Sequence, residues 1–459
     1  MSHESDSRPA PTATAVEAGS PQVVPAVLDH AWRSLVPDGP RDVPASPRAA
    51  EALIPAEPQT VGAHTAGPQT AEAHTAGPQV GDMPSIADVS RAERRPAGRA
   101  GRHILFVAWR DLANPRAGGS EVMIDRLADG MMARGDRVTL LCGGPTAERG
   151  YQVIRSGGSY TQFLRAPLAY QRRLQDCDLV VEVCNGMPFF APLWSRRPMI
   201  CLVNHVHTEL WGIRFPPPLA AVGRFTENAL MPWAHRKNLF LTISPSTAAA
   251  LTEMGVGNDR IRQICNGVEP PQPLTPRSPE PMFLALGRLT DYKRIDLLLR
   301  LWERVRHVVG GQLVIAGDGP ERARIEAMAG PGVVVMGRVT EEEKHRLLCA
   351  AWILLHPAMI EGWGIVIVEA AIRGTPGIGF DVPGLRDSVV DGETGVLVRN
   401  EGQFASAWAS LALDHRTREA LGRAARERAL RLHWSAAVEG FAQVADEAMA
   451  RAGDAGRRR

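Results

Sequence analysis

No stretch of about 18 consecutive apolar residues occurs in this chain, so no helix of it is expected to span a bilayer. Charge of one sign is equally missing. Lys and Arg number 52 against 50 Asp and Glu, a net charge of +2, and no strongly basic domain of the kind a nucleic-acid binder carries stands out. The six cysteines, Cys142, Cys177, Cys184, Cys201, Cys265 and Cys349, form no C-x-x-C pair and lie in or beside apolar runs. That pattern excludes a zinc-finger spacing and a disulfide framework, and it reads as buried reduced thiols in a cytoplasmic protein. The opening MSHESDSRPAPTATA lacks the apolar core of a signal peptide.

What is present suits two or three domains: 459 residues, of which 44% are hydrophobic and 22% charged. Residues 1–100 stand apart. They are rich in Pro, Ala, Gly, Thr and Ser and repeat AHTAGPQ at Ala63 and Ala73. Such a segment buries too little apolar area to offset its conformational entropy, and a disordered tail is expected. Within it, Leu28, Trp32 and Leu35 share one helical face, either a transient helix or a docking helix for a partner or for the protein's own body.

From His103 onward strands alternate with helices. HILFVAW, RVTLLC, DLVVEV, MICLVN and LFLTI are short, mostly apolar strands, and SEVMIDRLADGMMARG is a helix with Ser120 as N-cap and Gly135 as stop. EPPQPLTPRSPEP, Glu269 to Pro281, carries six prolines in thirteen residues and marks a linker. MFLALG, QLVIAG, VVVMG, WILLHP and GVLV then begin a second series, and three helical stretches close the chain. The expected architecture is α/β: two doubly wound, Rossmann-like domains (101–270 and 282–432) joined by a linker (271–281), facing across a cleft, with a terminal helix and basic tail (433–459) that can pack back on the first domain. In such sheets ligands bind beyond the carboxyl ends of the strands.

The most telling stretch is EGWGIVIVE, Glu361 to Glu369. With a helix starting near Gly364, Glu361 falls in the preceding loop and Glu369 about one and a half turns in. The amides of Gly362, Trp363 and Gly364 then lie at a helix start between two acids, an arrangement suited to phosphate oxygens and sugar hydroxyls. GRLTDYKR places Arg288 and Lys293 after a strand end, where two cations can converge on one diphosphate. The loop RDLANPRAGGSE puts Gly118 and Gly119 ahead of the first helix, allowing close approach to a ligand, but it is neither a P-loop nor G-x-G-x-x-G. In VIAGDGP, Pro320 is expected at the first helical position, and Asp318 either caps that helix or touches ligand. His205 and His207 fall at the end of MICLVN, where an imidazole can bond a reacting sugar or accept a proton.

Together GGSE, SPST at Ser244, NGV at Asn266, GRL…K at Arg288, GDGP at Gly317 and the E-x7-E element at Glu361 and Glu369 resemble the retaining, nucleotide-sugar-dependent family 4 glycosyltransferases of the GT-B fold, over about residues 103–450. The resemblance implies that Arg288 and Lys293 bind the donor diphosphate, Glu369 the ribose hydroxyls, and Glu361 the donor sugar near the reacting carbon. It places the amides of Gly362, Trp363 and Gly364 against phosphate or sugar, Gly118 and Gly119 against phosphate or acceptor, and the base against backbone from Gly337 to Val339. Tyr292 and Arg294 replace the Glu and Gly that often flank the lysine. Asn204 stands where the family's strand-end histidine is common, so the role passes to His205, with His207 as the alternative. The implied activity is transfer of a hexosyl-type unit from a nucleoside diphosphate sugar to an acceptor lipid, glycan or small metabolite, with no metal required, in the cytoplasm or at the inner membrane face. The alternatives are a non-catalytic nucleotide-sugar-binding partner protein and a nucleotide-sugar epimerase.

Overall fold

A computed structural model describes residues 101–269 and 272–457. The expected tail, with Leu28, Trp32 and Leu35, lies outside the described residues, as do Pro270 and Pro271 of the linker. Two sheets form, and every ladder in them is parallel. The first runs in the order β3-β2-β1-β4-β5-β6-β7. Its strands are β1 (His103–Arg110), β2 (Arg137–Gly143), β3 (Gln152–Arg155), β4 (Leu179–Cys184), β5 (Met199–Val203), β6 (Leu239–Thr242) and β7 (Ile261–Gln263). The second, in the order β10-β9-β8-β11-β12-β13, holds β8 (Met282–Leu286), β9 (Gln312–Ala316), β10 (Val333–Gly337), β11 (Ile353–His356), β12 (Gly377–Phe380) and β13 (Gly395–Val398). Strands β4, β5, β6 and β8 are buried at every residue, which is why their sequences run apolar without alternation.

Three strands escape the sequence pattern. β3 and β7 are short, half-polar pieces at the edges of the first sheet, and β12 is GIGF, where two glycines dilute the apolar signal. In each sheet the strand order reverses once, between β1 and β4 and between β8 and β11. Crossovers leave on opposite faces there, and a crevice opens at the carboxyl ends of the strands.

Helices α1 (Gly119–Ala133), α2 (Gln162–Arg173), α3 (Thr208–Arg214), α4 (Pro217–Phe225) and α5 (Pro245–Glu253) belong to the first lobe. Helices α6 (Ile295–Val309), α7 (Arg322–Met328), α8 (Glu341–Ala350), α9 (Ile365–Ala371), α10 (Glu401–Leu413) and α11 (His415–Ala429) follow, and α12 (Trp434–Arg457) is last. Their ends obey local chemistry. Ser244 caps α5 by accepting the Thr247 N–H at 3.2 Å, and Thr340 and Glu343 form a reciprocal capping box on α8.

Two expected starts are corrected. Helix α1 is capped at Gly118, not Ser120: the Glu121 carboxylate reaches back to the Gly118 N–H at 2.7 Å, so the cap comes from inside the helix and Ser120 becomes its second residue. Helix α7 begins at Arg322, past Pro320, and Asp318 bonds the adjacent Gly319 N–H at 2.9 Å without capping the helix.

In the second lobe α6 buries Leu297, Leu298, Leu301, Trp302, Val305 and Val309, and Trp302 stacks on Trp408 at 5.7 Å. Each such side chain removed from water contributes about 1.5–3 kcal/mol. Helix α12 lies on the first lobe although the chain reaches it from the second. Phe441 stacks on Phe106 at 5.6 Å, Arg102 pairs with Asp446 at 2.5 Å, and Arg262 pairs with Glu447 at 2.6 Å. Gly130 of α1 is where this packing is tightest, since a side chain there would collide with Val438. Trp363, Val368 and Ile372 of the second lobe join the same apolar cluster as Ile104 and Phe106, which ties the lobes together.

Candidate active site

Of the residues singled out from the sequence, Gly118 and Gly119 follow β1, and Arg288, Lys293 and Glu361 follow β8 and β11, strands at which the order reverses; His205 and His207 follow β5, and Gly337 ends β10. After β8 the chain turns through Gly287, with φ +146°, and presents Arg288. Lys293 ends a short helical turn that Arg294 closes in the left-handed conformation, φ +52°. After β11, whose last residue is His356, comes the loop holding Glu361. Lys293 Nζ forms an ion pair with Glu361 Oε2, and His356 Nε2 lies 2.9 Å from the same oxygen. The other oxygen, Oε1, accepts the Gly362 N–H at 3.2 Å. Burial works to raise the Glu361 pKa, but Lys293 and His356 win and hold it well below the usual carboxylate range. Glu361 is therefore an anion, largely buried, on a cation.

Of the three amides expected at the start of α9, one is engaged within the loop itself. The Gly362 N–H is taken by Glu361, and α9 is only seven residues long. Lys293 and Arg288 bring positively charged side chains to the site. Gly364, at φ +75°, is the N-cap of α9, a conformation that favours glycine. Trp363 turns its side chain into the apolar cluster, 3% exposed, with Nε1 unbonded.

Glu369, on α9, is paired with Lys344 of α8 at 2.9 Å. Burial opposes the charge on Lys344, yet Glu369 and Glu341 raise its pKa above the ordinary value. The chain contains three lysines, Lys237, Lys293 and Lys344, and two of them sit on the two glutamates of the E-x7-E element. Gly337 ends β10, and its carbonyl accepts the Gly317 N–H at 2.7 Å. No hydrogen bond or ion pair joins Glu369 or Gly337 to the Glu361 group among the described residues.

The first lobe closes on this group. Arg288 Nη1 donates to the Arg116 carbonyl at 3.2 Å and Nη2 to the Tyr292 hydroxyl at 3.0 Å. Arg338 reaches the Pro115 carbonyl at 3.2 Å. A Cβ on Gly118 would stand 3.6 Å from the Arg288 guanidinium, and one on Gly119 would stand 3.7 Å from Ile365. The glycine loop is thus in contact with the second lobe. Its shape is held by Asp111, wholly buried, which accepts the Ala147 N–H at 3.0 Å and the Arg149 Nε–H at 3.3 Å.

Behind the loop a row of polar side chains crosses the strand ends: Asn185 donates to Ser120 at 3.2 Å and Asn204 to Asn185 at 3.1 Å. His205 follows, stacked on His207 at 4.0 Å. A Cβ on Gly362 would lie 3.1 Å from the Asn204 carbonyl and 3.2 Å from His205 Cβ, so the two lobes meet at this glycine. Burial, with His207, pushes His205 down to about 3, and burial pushes His207 down to about 4. Both rings are neutral at pH 7: they can bond or receive a proton but provide no standing positive charge.

Sequence reasoning missed His356, Lys344, Tyr292 as a partner of Arg288, and the buried Glu227 discussed below. A strand-end position in WILLHP was a usable signal for His356. Nothing local pointed to Lys344, whose partner Glu369 is 25 residues away.

The cysteines are free thiols, as expected, and five of the six are buried, Cys265 being partly exposed. Cys184 and Cys201 lie on neighbouring strands with sulfurs 3.5 Å apart, and His235 joins them closely enough that the three donor atoms could surround a metal ion. Beside them Glu182, wholly buried, accepts the N–H groups of Phe189, Phe190 and Ala191 at 2.6, 3.0 and 2.7 Å and lies 3.1 Å from His235 Nε2. These bonds account for the cluster as a polar knot in the core.

Residues 269–428 match the family model described as glycosyl transferases group 1, and residues 117–272 match that of glycosyltransferase family 4. A D-inositol 3-phosphate glycosyltransferase of Streptomyces bingchenggensis is 35% identical over 38% of this chain and 42% of its own length. A glycogen synthase of Mycobacterium tuberculosis is 29% identical over 47% of this chain and 56% of its own. The chain thus spans about half the length, or less, of these curated relatives. Among solved structures, the sucrose-phosphate synthase of Thermosynechococcus elongatus superposes with a TM-score of 0.65 at 20% identity, covering 76% of this chain and 99% of that one. Anabaena HepE, solved in complex with UDP and glucose, gives 0.60 at 17% identity, covering 75% and 100%. At these identities the likeness is one of fold.

Proposed function

We propose, from the premise that this chain belongs to the family 4 glycosyltransferases of the GT-B fold, that it moves a glycosyl unit from a nucleoside diphosphate sugar to an acceptor hydroxyl with retention of configuration. The observation that carries this reading is the group at the second-lobe crevice: Lys293 and His356 on an ionised Glu361, beside Arg288 facing the glycine loop of the other lobe.

Arg288 has a carbonyl and a phenol as partners, both neutral. Exchanging them for phosphate oxygens gains charge-assisted bonds. Lys293 then shares its charge between the diphosphate and Glu361. Two cations on the departing diphosphate lower the barrier to breaking the bond between sugar and phosphate. They supply the charge a metal ion supplies elsewhere, so no metal enters the reading. Glu361, held ionised, stands where positive charge grows on the anomeric carbon. The leaving phosphate takes the acceptor proton on the face it departs from, which retains configuration without a strong protein base. Neutral His205 bonds a sugar hydroxyl. Glu369 exchanges Lys344 for the ribose hydroxyls, backbone from Gly337 to Val339 meets the base, and Gly118 and Gly119 admit phosphate or acceptor closely.

The acceptor side belongs to the first lobe. Its chemistry is a lipid, a glycan or a small metabolite. Helix α2 exposes Leu164 and Leu168, 85% and 50%, beside Arg165, Arg172 and Arg173, a face suited to an anionic leaflet, and supports a cytoplasmic protein with a peripheral membrane contact. The test is nucleoside diphosphate release from UDP-, GDP- and dTDP-sugars. Turnover should fall about 10²–10³-fold in Lys293→Ala. Near-normal release by that variant, or epimerised donor with no release, refutes the assignment.

A further inference from the structure

We propose that Glu227 is a positioning residue that sets the ring of His207 and, through it, that of His205, on the acceptor side of the cleft. The inference rests on the reading of the cleft as a site of glycosyl transfer.

After β5 the chain makes a long detour through α3 and α4 and then a single π-helical turn, Thr226–Leu230, before returning to β6. Such turns are uncommon and concentrate at functional sites. This one carries Glu227, 2% exposed. Its Oε1 accepts the His207 backbone N–H at 2.8 Å and lies 3.5 Å from His207 Nδ1; its Oε2 accepts the Trp211 indole N–H at 2.9 Å. His207 Nδ1 is buried and makes no hydrogen bond, so a proton there would find the carboxylate beside it.

Trp211 fixes the geometry further. Its ring fills the space over Gly223, where any side chain would collide with it, and it lies near Gly186, where a Cβ would come within 3.3 Å of both Trp211 and His207. Stacking then transmits the position of His207 to His205, which meets Gly362 of the other lobe next to Glu361. The charged and titratable groups facing this chain of contacts are His205 and His207 themselves, Arg214 of α3 acting on His207, and Glu361 and Lys293 of the second lobe acting on His205. Burial pushes Glu227 up to about 7, against the N–H bonds from His207 and Trp211. Above that pH the carboxylate holds its donors as an anion; below it, protonation weakens its grip.

The test uses the whole chain, with UDP-, GDP- and dTDP-glucose as donors and water as acceptor, so that an unidentified natural acceptor is not needed. Hydrolysis is followed from pH 5.5 to 8.5, alongside the thermal shift each donor produces. Wild type should lose activity as pH falls through about 7, while Glu227→Gln, which cannot ionise, should lack that limb. The variant should hydrolyse about 10- to 100-fold more slowly at pH 8 with an unchanged donor shift. A variant with the wild-type rate and profile overturns the inference alone. So does one whose donor shift vanishes with its activity, because that marks a general structural loss. A wild type that neither binds nor hydrolyses any donor overturns the transfer reading, and the inference falls with it.

Discussion

Gly362 shows how closely single residues constrain the site. Its backbone passes the Asn204 carbonyl and His205 so tightly that a methyl group would stand 3.1 and 3.2 Å from them. The contact crosses from one lobe to the other, so the neighbours can relieve it only by letting the lobes part by a few tenths of an ångström. Gly362→Ala should therefore lower turnover about tenfold or more through misplacement of Glu361 against His205. Each lobe should still fold, with a melting temperature close to wild type. Parallel melting curves and initial rates separate the two effects, and an active variant would mean that this contact does not set the geometry. The loop positions of Arg288, Lys293 and Glu361 were legible in the sequence, the first two following an apolar strand and the third preceding a helix. The partners were not. Lys293 finds Glu361 across 68 residues and Lys344 finds Glu369 across 25, and no spacing rule reaches so far.

At the scale of elements, most strands that are buried throughout were the easiest to read, since burial at every residue favours a mostly apolar run. The half-polar edges β3 and β7 carry no such demand, and in β12, though it is buried throughout, two glycines interrupt the apolar run. Helix starts were misread where a cap came from an unexpected direction, as when Glu121 serves Gly118 from inside α1. The path of α12 follows from tertiary packing. Phe441 is wholly buried against Phe106, and Arg102 joins Asp136 and Asp446. Phe441→Ala should cost about 3–5 kcal/mol of stability, read by chemical denaturation of the whole chain. A loss below about 1 kcal/mol would mean that α12 contributes little to holding the first lobe.

At the scale of the whole molecule, the two crevices left by strand reversal bring an anion, three cationic or proton-accepting groups and a glycine loop into one neighbourhood. The near-neutral total charge conceals this local arrangement. The proline-rich stretch after Glu269 made two lobes legible, whereas their contact at Gly118–Arg288 and Gly362–His205 depends on how the lobes settle against each other. The central claim is that this neighbourhood grips a nucleoside diphosphate through Lys293. Titration calorimetry of UDP, GDP and dTDP into wild type and Lys293→Ala tests it most directly. One of the three nucleotides should bind wild type and lose at least about tenfold in affinity, roughly 1.4 kcal/mol, in the variant. Equal affinity for both proteins, or binding of none of the three to wild type, would contradict it.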